Sequence, residues 1–280
     1  MSNPSKATQH TRPPEGMTGD MAIIIGIPHS GRNLEEAALM GCGHWKKEDH
    51  ESFADPYLDV LTHGLQPWAD GIVVQDVARS LVDMNRCPGD QIDQRYCQCG
   101  GILHRDSVGL GLLPKRVNST RILDRHEHDL AGRRALILHA QYHDALAKEV
   151  EKNSHKMVLI MELHSMPSRS GQGIGWCVGN RHGTSSAPWA LNLVVELLTT
   201  QYPNEVVAAN KPFAGLYSAW RHGQPAENIH FIQLEANRQL IGTTPEEVTE
   251  HLAKLQQLFG QAKKEGSRRS PKFNREETPS

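Results

Sequence analysis

Two stretches of the chain, Met21-Ala-Ile-Ile-Ile-Gly-Ile27 and Met157-Val-Leu-Ile-Met-Glu-Leu163, are apolar at odd and even positions alike. A strand with one wet face alternates apolar and polar side chains, so a run apolar on both parities belongs to a strand covered on two sides. The chain is therefore predicted to build a central sheet with helices on both faces. Ala22–Ile27 and Met157–Leu163 are two of its strands, and the others are Ile72–Val77, Ser80–Met84, Gly175–Val178, Val206–Ala209 and Ile229–Leu234. Helical spacing marks Leu34–Met40, Pro56–Leu65, Ile122–Lys152, Pro188–Thr200 and Pro245–Lys263. The last helix has a clear start, with Thr244 as N-cap, Pro245 at its first position and Glu247 closing a capping box. Strands alternating with helices predict an α/β fold whose sheet is largely parallel or mixed. We assign it to one domain, residues 21–262. The flanks 1–20 and 263–280 lack apolar periodicity and read as disordered tails. The stretch from Cys87 to Arg121 is Gly-, Gln- and Arg-rich without periodicity, and reads as a functional loop or lid.

Several function classes drop out. The longest apolar run is seven residues, whereas a membrane-spanning helix needs roughly 20. Lys and Arg number 30 against 32 Asp and Glu, a net charge of −2. That balance supplies no field to attract nucleic acid or an anionic membrane. The first 20 residues hold no apolar core of the kind a secretory leader needs, and five cysteines fit reduced thiols better than a disulfide framework. The expectation is a cytoplasmic protein. Histidine is over-used, with 16 copies.

Two of those histidines are placed for chemistry. The first apolar strand runs into Pro28-His29-Ser30-Gly31-Arg32, and the second into His164-Ser165-Met166-Pro167. Ligands of open α/β sheets bind beyond the carboxyl ends of the strands, so two histidines delivered to that edge can share one metal. A single strand-end histidine would more often be a hydrogen-bonded structural residue. A zinc site of this kind adds a carboxylate and leaves a fourth position open. Asp55 and Asp59 are the candidates, four residues apart on one helix face; a solvated acidic face is the alternative. Arg79-Ser-Leu-Val-Asp83-Met-Asn85-Arg86 reads as a strand ending in Asn85-Arg86. There an arginine can hold a carboxylate bidentately, and an asparagine adds a neutral donor. In Ile232-Gln-Leu-Glu235-Ala-Asn-Arg238 a carboxylate ends a buried strand. It is either a general base beside a metal or half of a structural Glu235–Arg238 pair. Cys87, Cys97, Cys99 and His104 match no regular zinc spacing.

The segments PHSGR, Asp-x3-Asp-x-Leu, RSLVDMNR, QYH, LHSMPS, VGNRHGTSS, NKPFAG and QLEANR occur in the order found in the N-formylglutamate amidohydrolase family, which the chain resembles from about Ile23 to Leu240. DMNR also resembles the Asp-Leu-Asn-Arg element of aspartoacylases and succinylglutamate desuccinylases. The resemblance implies a three-layer, zinc-carboxypeptidase-like α/β fold with a central mixed sheet. It implies one zinc ion on His29 and His164, with Asp59 favoured over Asp55 as the acidic ligand because position 32 is Arg rather than the Glu of a His-x-x-Glu element. It also implies Glu235 as the base and Arg79 as a catalytic group. Asn85, Arg86, Arg181, Arg221, Arg238 and His143 are the implied substrate contacts. The implied reaction is hydrolysis of N-formyl-L-glutamate to formate and L-glutamate, as in histidine breakdown. Rival readings are another N-acyl amino acid deacylase, a peptidoglycan-type amidase, or a non-catalytic zinc protein holding an acidic ligand. Departures from the family pattern include Glu162 in place of Asp before Leu-His, Ala214 in NKPFAG, and Arg221-His222-Gly223.

Overall fold

A computed structural model of the chain describes residues 20–56, 58–90, 99, 105–117, 121–126, 128–168, 173–242 and 244–269. Among them, six strands form one mixed sheet. The edge strand β2 (Gly71–Val74) lies beside β1 (Met21–Ile27), followed by β5 (Met157–Met166), β8 (Ile229–Asn237), β6 (Ile174–Gly179) and β7 (Val206–Ala209). β2, β1, β5 and β8 run parallel, and β6 and β7 run the other way. A small ribbon of β3 (Arg116–Val117) and β4 (Arg121–Ile122) stands apart.

The period of two sorts the central strands into two cores. Ile23, Ile25, Leu159, Met161, Leu163, Ile232 and Leu234 point to one face. Three helices cover that face: α2 (Leu58–Leu65), α4 (Pro188–Gln201) and α7 (Pro245–Arg269). Ala22, Ile24, Val158, Ile160 and Phe231 point to the other face, against Ala135, Leu138, Tyr142 and Leu146 of α3 (Asp129–Lys152). β1 and β5 are buried at every position, as their composition requires. The remaining helices are short: α1 (Lys47–Glu51), α5 (Tyr217–His222) and α6 (Arg238–Ile241). No helix among the described residues is long and apolar enough to cross a membrane.

Two expected elements do not form. Ser80–Met84 is buried, but it is a turn rather than a strand. The sheet already ends at β2, so these residues have no strand to pair with. Their main-chain groups are satisfied otherwise: Arg125 donates to the carbonyls of Ser80 and Leu81, and the Asp83 N–H donates to Leu112 O at 2.9 Å. Leu34–Met40 makes overlapping turns, and Arg125 also donates to its last carbonyl, that of Met40. The other differences lie at boundaries. β5 and β8 run three residues past their expected ends, through His164 and Glu235. Those polar side chains sit on the α3 face inside the strand instead of terminating it. The helix expected from Ile122 begins at Asp129, where His128 Nδ1 accepts the Ala131 N–H. α7 continues to Arg269, into the stretch read as a tail. Lys263 pairs there with Asp70 at 2.8 Å, and Ser267 Oγ accepts the Met21 N–H. Residues 1–19 and 270–280 lie outside the described residues, as do Cys97 and His104.

Candidate active site

β1 ends at Ile27, and Pro28 carries the chain off the sheet so that His29 stands at the carboxyl edge of the central strands. Gly31 makes the turn possible, because a Cβ there would lie 2.4 Å from the Asp76 and Val77 carbonyl oxygens. The Asp55 N–H then donates to the His29 carbonyl at 2.9 Å and docks the Asp55 loop directly on it. His164 projects from β5, two residues after Glu162 on the same face. The three side chains meet. His29 Nδ1 lies 3.1 Å from His164 Nδ1 and 3.4 Å from Asp55 Oδ2, and His164 Nδ1 lies 3.3 Å from that oxygen. All three residues are buried.

The opposite nitrogen of each ring is held by a buried acid. His29 Nε2 donates to Asp83 Oδ1 at 2.7 Å, and His164 Nε2 donates to Glu162 Oε2 at 2.8 Å. Ionised carboxylates only accept, so both rings carry their proton on Nε2 and turn an Nδ1 lone pair towards the other. Two imidazole lone pairs and a carboxylate oxygen in contact repel one another unless a proton or a cation lies among them. Ligand atoms about 2.0–2.1 Å from a tetrahedral zinc stand about 3.3–3.4 Å apart, and the observed edges of 3.1, 3.3 and 3.4 Å match that spacing. The donor set therefore fits a divalent metal with one or more positions left open. The same crowding of buried charge appears in the acidities. Burial opposes charging of His164, yet hydrogen bonds to Asp55 and Glu162 push its pKa up to about 10. Burial likewise opposes ionisation of Asp55, but its bonds to His164 and His29 hold the carboxyl low.

The supporting shell is charged and closed. Asp83 accepts from Arg79 Nε at 2.9 Å and from the Asn85 N–H at 2.9 Å, with Arg86 Nη2 3.6 Å away. Burial would raise its pKa, but Arg79, Arg86 and His29 hold it well below the usual carboxylate range. Glu162 Oε1 accepts from Tyr142 Oη at 3.1 Å. Gly26, next to Glu162 across the β1–β5 pair, leaves the room for this contact; a Cβ at that position would stand 2.9 Å from the Tyr142 oxygen.

Glu235 is the cross-strand partner of His164 in the β5–β8 pair, on the same face. Burial, reinforced by the nearby Asp55 charge, pushes its carboxyl up to about 7, against the pull of His164 and Arg79. A carboxyl poised there can take up and release a proton near neutrality. The structural alternative for Glu235 is not seen, since Arg238 turns to Asp55 Oδ1 (3.5 Å), the Ala54 carbonyl and Ser165 Oγ.

The structure therefore brings His29, His164, Asp55, Glu235, Arg79 and Arg238 together. Asp59 lies in α2, and its side chain is outside the described residues. Asp55 precedes that helix, so the two acids do not share a helical face. Asn85 and Arg86 sit in the buried turn rather than at a strand end. Arg86 donates to the carbonyls of Leu110 and Asn85, and burial pulls its pKa down. Arg181 lies in a turn with φ +49°, its N–H donating to Ala214 O. Arg221 reaches Tyr217 Oη and Asp144, a half-exposed pair on the α3–α5 side. His143 is fully buried, bonded to His222 and to the Met84 carbonyl, each at 2.9 Å. Sequence reasoning missed the roles of Asp83, Glu162 and Gln233. The signal was present in each case: a polar residue set into an otherwise buried apolar run.

A cavity of about 540 Å³ adjoins the segments that carry His29 and Asp55; it is lined by Gly31, Ala54 and Pro56, with Arg32 and Lys47 as its cations. A second His/Asp/His group, His44, Asp124 and His126, is exposed at the surface with its rings stacked 4.6 Å apart.

The family model for N-formylglutamate amidohydrolase matches residues 21–242. No curated protein matches the chain. Among solved structures, an N-formylglutamate amidohydrolase from Ralstonia eutropha is similar with a TM-score of 0.70 and 22% identity, over 91% of this chain and 97% of that one. A gene product from Agrobacterium tumefaciens is similar with a TM-score of 0.60 and 16% identity, over 88% of this chain and 90% of the other. Both are likenesses of fold.

Proposed function

The chain belongs to the N-formylglutamate amidohydrolase family and is a hydrolase acting on an amide bond, and on that premise we propose that it converts N-formyl-L-glutamate and water to formate and L-glutamate in a metal-dependent reaction. The observation that carries metal dependence is the triangle of His29 Nδ1, His164 Nδ1 and Asp55 Oδ2, with Asp83 and Glu162 fixing the rings from behind. A histidine whose second nitrogen is bound by a carboxylate is oriented and made more basic as a ligand. A divalent ion bound there, which we take to be zinc, would supply Lewis acidity that polarises a carbonyl and acidifies water.

The chain's own groups do the remainder. Glu235 takes a proton from water as it adds to the formyl carbon. The C–N bond breaks, and the same carboxyl returns the proton to the departing amine. Arg79, between Asp55 and Asp83, faces the developing negative charge on the formyl oxygen. Arg238 is about one-third exposed beside Asp55 and is assigned to a substrate carboxylate. Arg32, on the lining of the adjoining cavity where Lys47 is paired with Glu51 at 3.5 Å, is assigned to the second one. We place the reaction in the cytoplasm, a reading supported by the reduced, buried thiols of Cys42 and Cys177.

The test is metal-stripped protein restored with zinc and assayed on N-formyl-glutamate, N-acetyl-glutamate and N-formyl-leucine. Zinc-restored turnover that favours N-formyl-glutamate is expected. Preference for another acyl group would assign the site to a different N-acyl amino acid deacylase. Substrate binding without turnover would make the chain a non-catalytic binder. Asp55→Ala should lose the metal while Asp59→Ala keeps it, and the reverse would return the ligand role to Asp59.

A further inference from the structure

We propose that Gln233 is a positioning residue for the base, and that Asn85 acts through it rather than on substrate. The inference rests on the reading of Glu235 as general base. The side-chain amides of Asn85 and Gln233 stand in series between a main-chain donor and Glu235. The Ser218 N–H, in the first turn of α5, donates to Asn85 Oδ1 at 3.0 Å. Asn85 Nδ2 donates to Gln233 Oε1 at 3.1 Å, and Gln233 Nε2 donates to Glu235 Oε1 at 2.8 Å. Asn85 and Gln233 are each no more than 3% exposed, so water does not compete for these bonds.

The polarity of the chain has only one solution. Amide oxygen and nitrogen are hard to tell apart by shape and must be assigned from their partners. Here the first partner is a backbone N–H, which can only donate and at this position in a helix has no intrahelical acceptor. Asn85 must therefore present its oxygen to Ser218 and its nitrogen to Gln233. Gln233 must in turn present its oxygen to Asn85 and its nitrogen to Glu235. The orientation of a helix N–H is thereby transmitted across two side chains to one oxygen of the base. Glu235 keeps its other oxygen for the reacting water.

The relay is anchored from outside as well. The carbonyls on either side of Asn85 accept from α3, Met84 O from His143 Nε2 at 2.9 Å and Arg86 O from His139 Nε2 at 3.0 Å. His143 Nδ1 accepts in turn from His222 Nε2 at 2.9 Å. These buried rings hold the Asn85 turn in place, which gives His143 a role that needs no contact to substrate.

The experiment uses the zinc-loaded full chain and two substitutions, each made with and without Glu235→Gln. Gln233→Met keeps the length and removes the amide. Asn85→Asp keeps the shape, still accepts from Ser218, but can no longer donate to Gln233. The Gln233 amide must then turn over and set its oxygen against Glu235. A base displaced by a fraction of an ångström loses rate steeply, so each substitution should lower kcat about 10- to 100-fold with KM within about 2-fold and zinc content unchanged. In the Glu235→Gln background neither should cost more than about 2-fold, because there is no base left to position. Equal losses in both backgrounds, a loss confined to KM, or unchanged kcat in both variants would overturn the inference. If Glu235→Gln alone keeps full turnover, it is the assignment of the base that fails. Gln233→Met and Asn85→Asp disturb packing differently, so a folding defect in one leaves the other to decide.

Discussion

Two histidines far from the active site should make this protein acid-sensitive by a calculable amount. His230 opens β8 against Trp189, its Nδ1 accepting the Ala187 N–H at 3.3 Å. His251 on α7 is stacked 5.7 Å from Trp176, and its Nδ1 meets Tyr202 Oη at 3.1 Å. Both are no more than 3% exposed, and their Nε2 atoms have no hydrogen-bond partner among the described residues. Burial holds each pKa down at about 4 against the ordinary imidazole value of 6.5. With the folded value below the unfolded one, the stabilisation is fully present above pH 6.5 and is lost as pH falls towards 4. At pH 5 the unfolded ring is protonated and the folded ring is still neutral. The difference of about 1.5 pH units at 1.36 kcal/mol each is worth about 2 kcal/mol per histidine. Urea unfolding of the parent, His230→Gln, His251→Gln and the double variant at pH 7 and pH 5 measures it. Whatever each substitution costs at pH 7, its stability should fall by about 2 kcal/mol less than the parent's on going to pH 5. The double variant should fall by about 4 kcal/mol less, since the sites share no partner. Parallel pH dependences within about 0.5 kcal/mol would refute the claim that these rings are kept neutral by burial.

Two further outcomes are expected. Asp83→Asn removes the carboxylate behind His29 and leaves Arg79 and Arg86 short of a counter-charge, so zinc affinity measured by competition with a chelator should drop about 10- to 100-fold and thermal stability should fall with it. Gly26→Ala forces Tyr142 away from Glu162 and should cost about 1–3 kcal/mol in chemical denaturation, whereas an unchanged midpoint would mean that α3 can yield.

The central strands and two histidines were legible because burial on both faces writes itself into composition. β1 and β5 need apolar residues at every position, and a histidine that interrupts such a run stands out. Loops buried for other reasons leave the same trace. Ser80–Met84 is as apolar as a strand because Arg125 and the Leu112 carbonyl take up its main-chain groups, and no local signal records those distant partners. Asp55 and Asp59 could not be ranked from spacing, since that comparison presumed one helix and Asp55 precedes it. Asp83 and Gln233 stood out as polar residues in apolar runs, but nothing local said what they support. Their partners lie 54 and 148 residues away in the chain, at His29 and Asn85, and only the folded sheet brings them together. The resemblance to a family placed Glu235 and Arg79 near the chemistry, while the contacts of Arg86, Arg221 and His143 depend on the packing of α3 and α5.

Leu163 lies between Glu162 and His164 in β5, facing the opposite core. A shift of that strand by one residue would turn its whole set of side chains over. Both polar groups would be driven into the apolar core covered by α2, α4 and α7, and Met161 and Leu163 would take their places beside Asp55. No arrangement of the sheet exists in which the apolar layers are correct and the chemical layer is wrong by a single step. Parallel neighbours on both sides, β1 and β8, hold β5 to the same alignment. Assembly of the core and assembly of the site are thus one event, and a population of well-folded but misaligned, inactive molecules has no low-energy state to occupy.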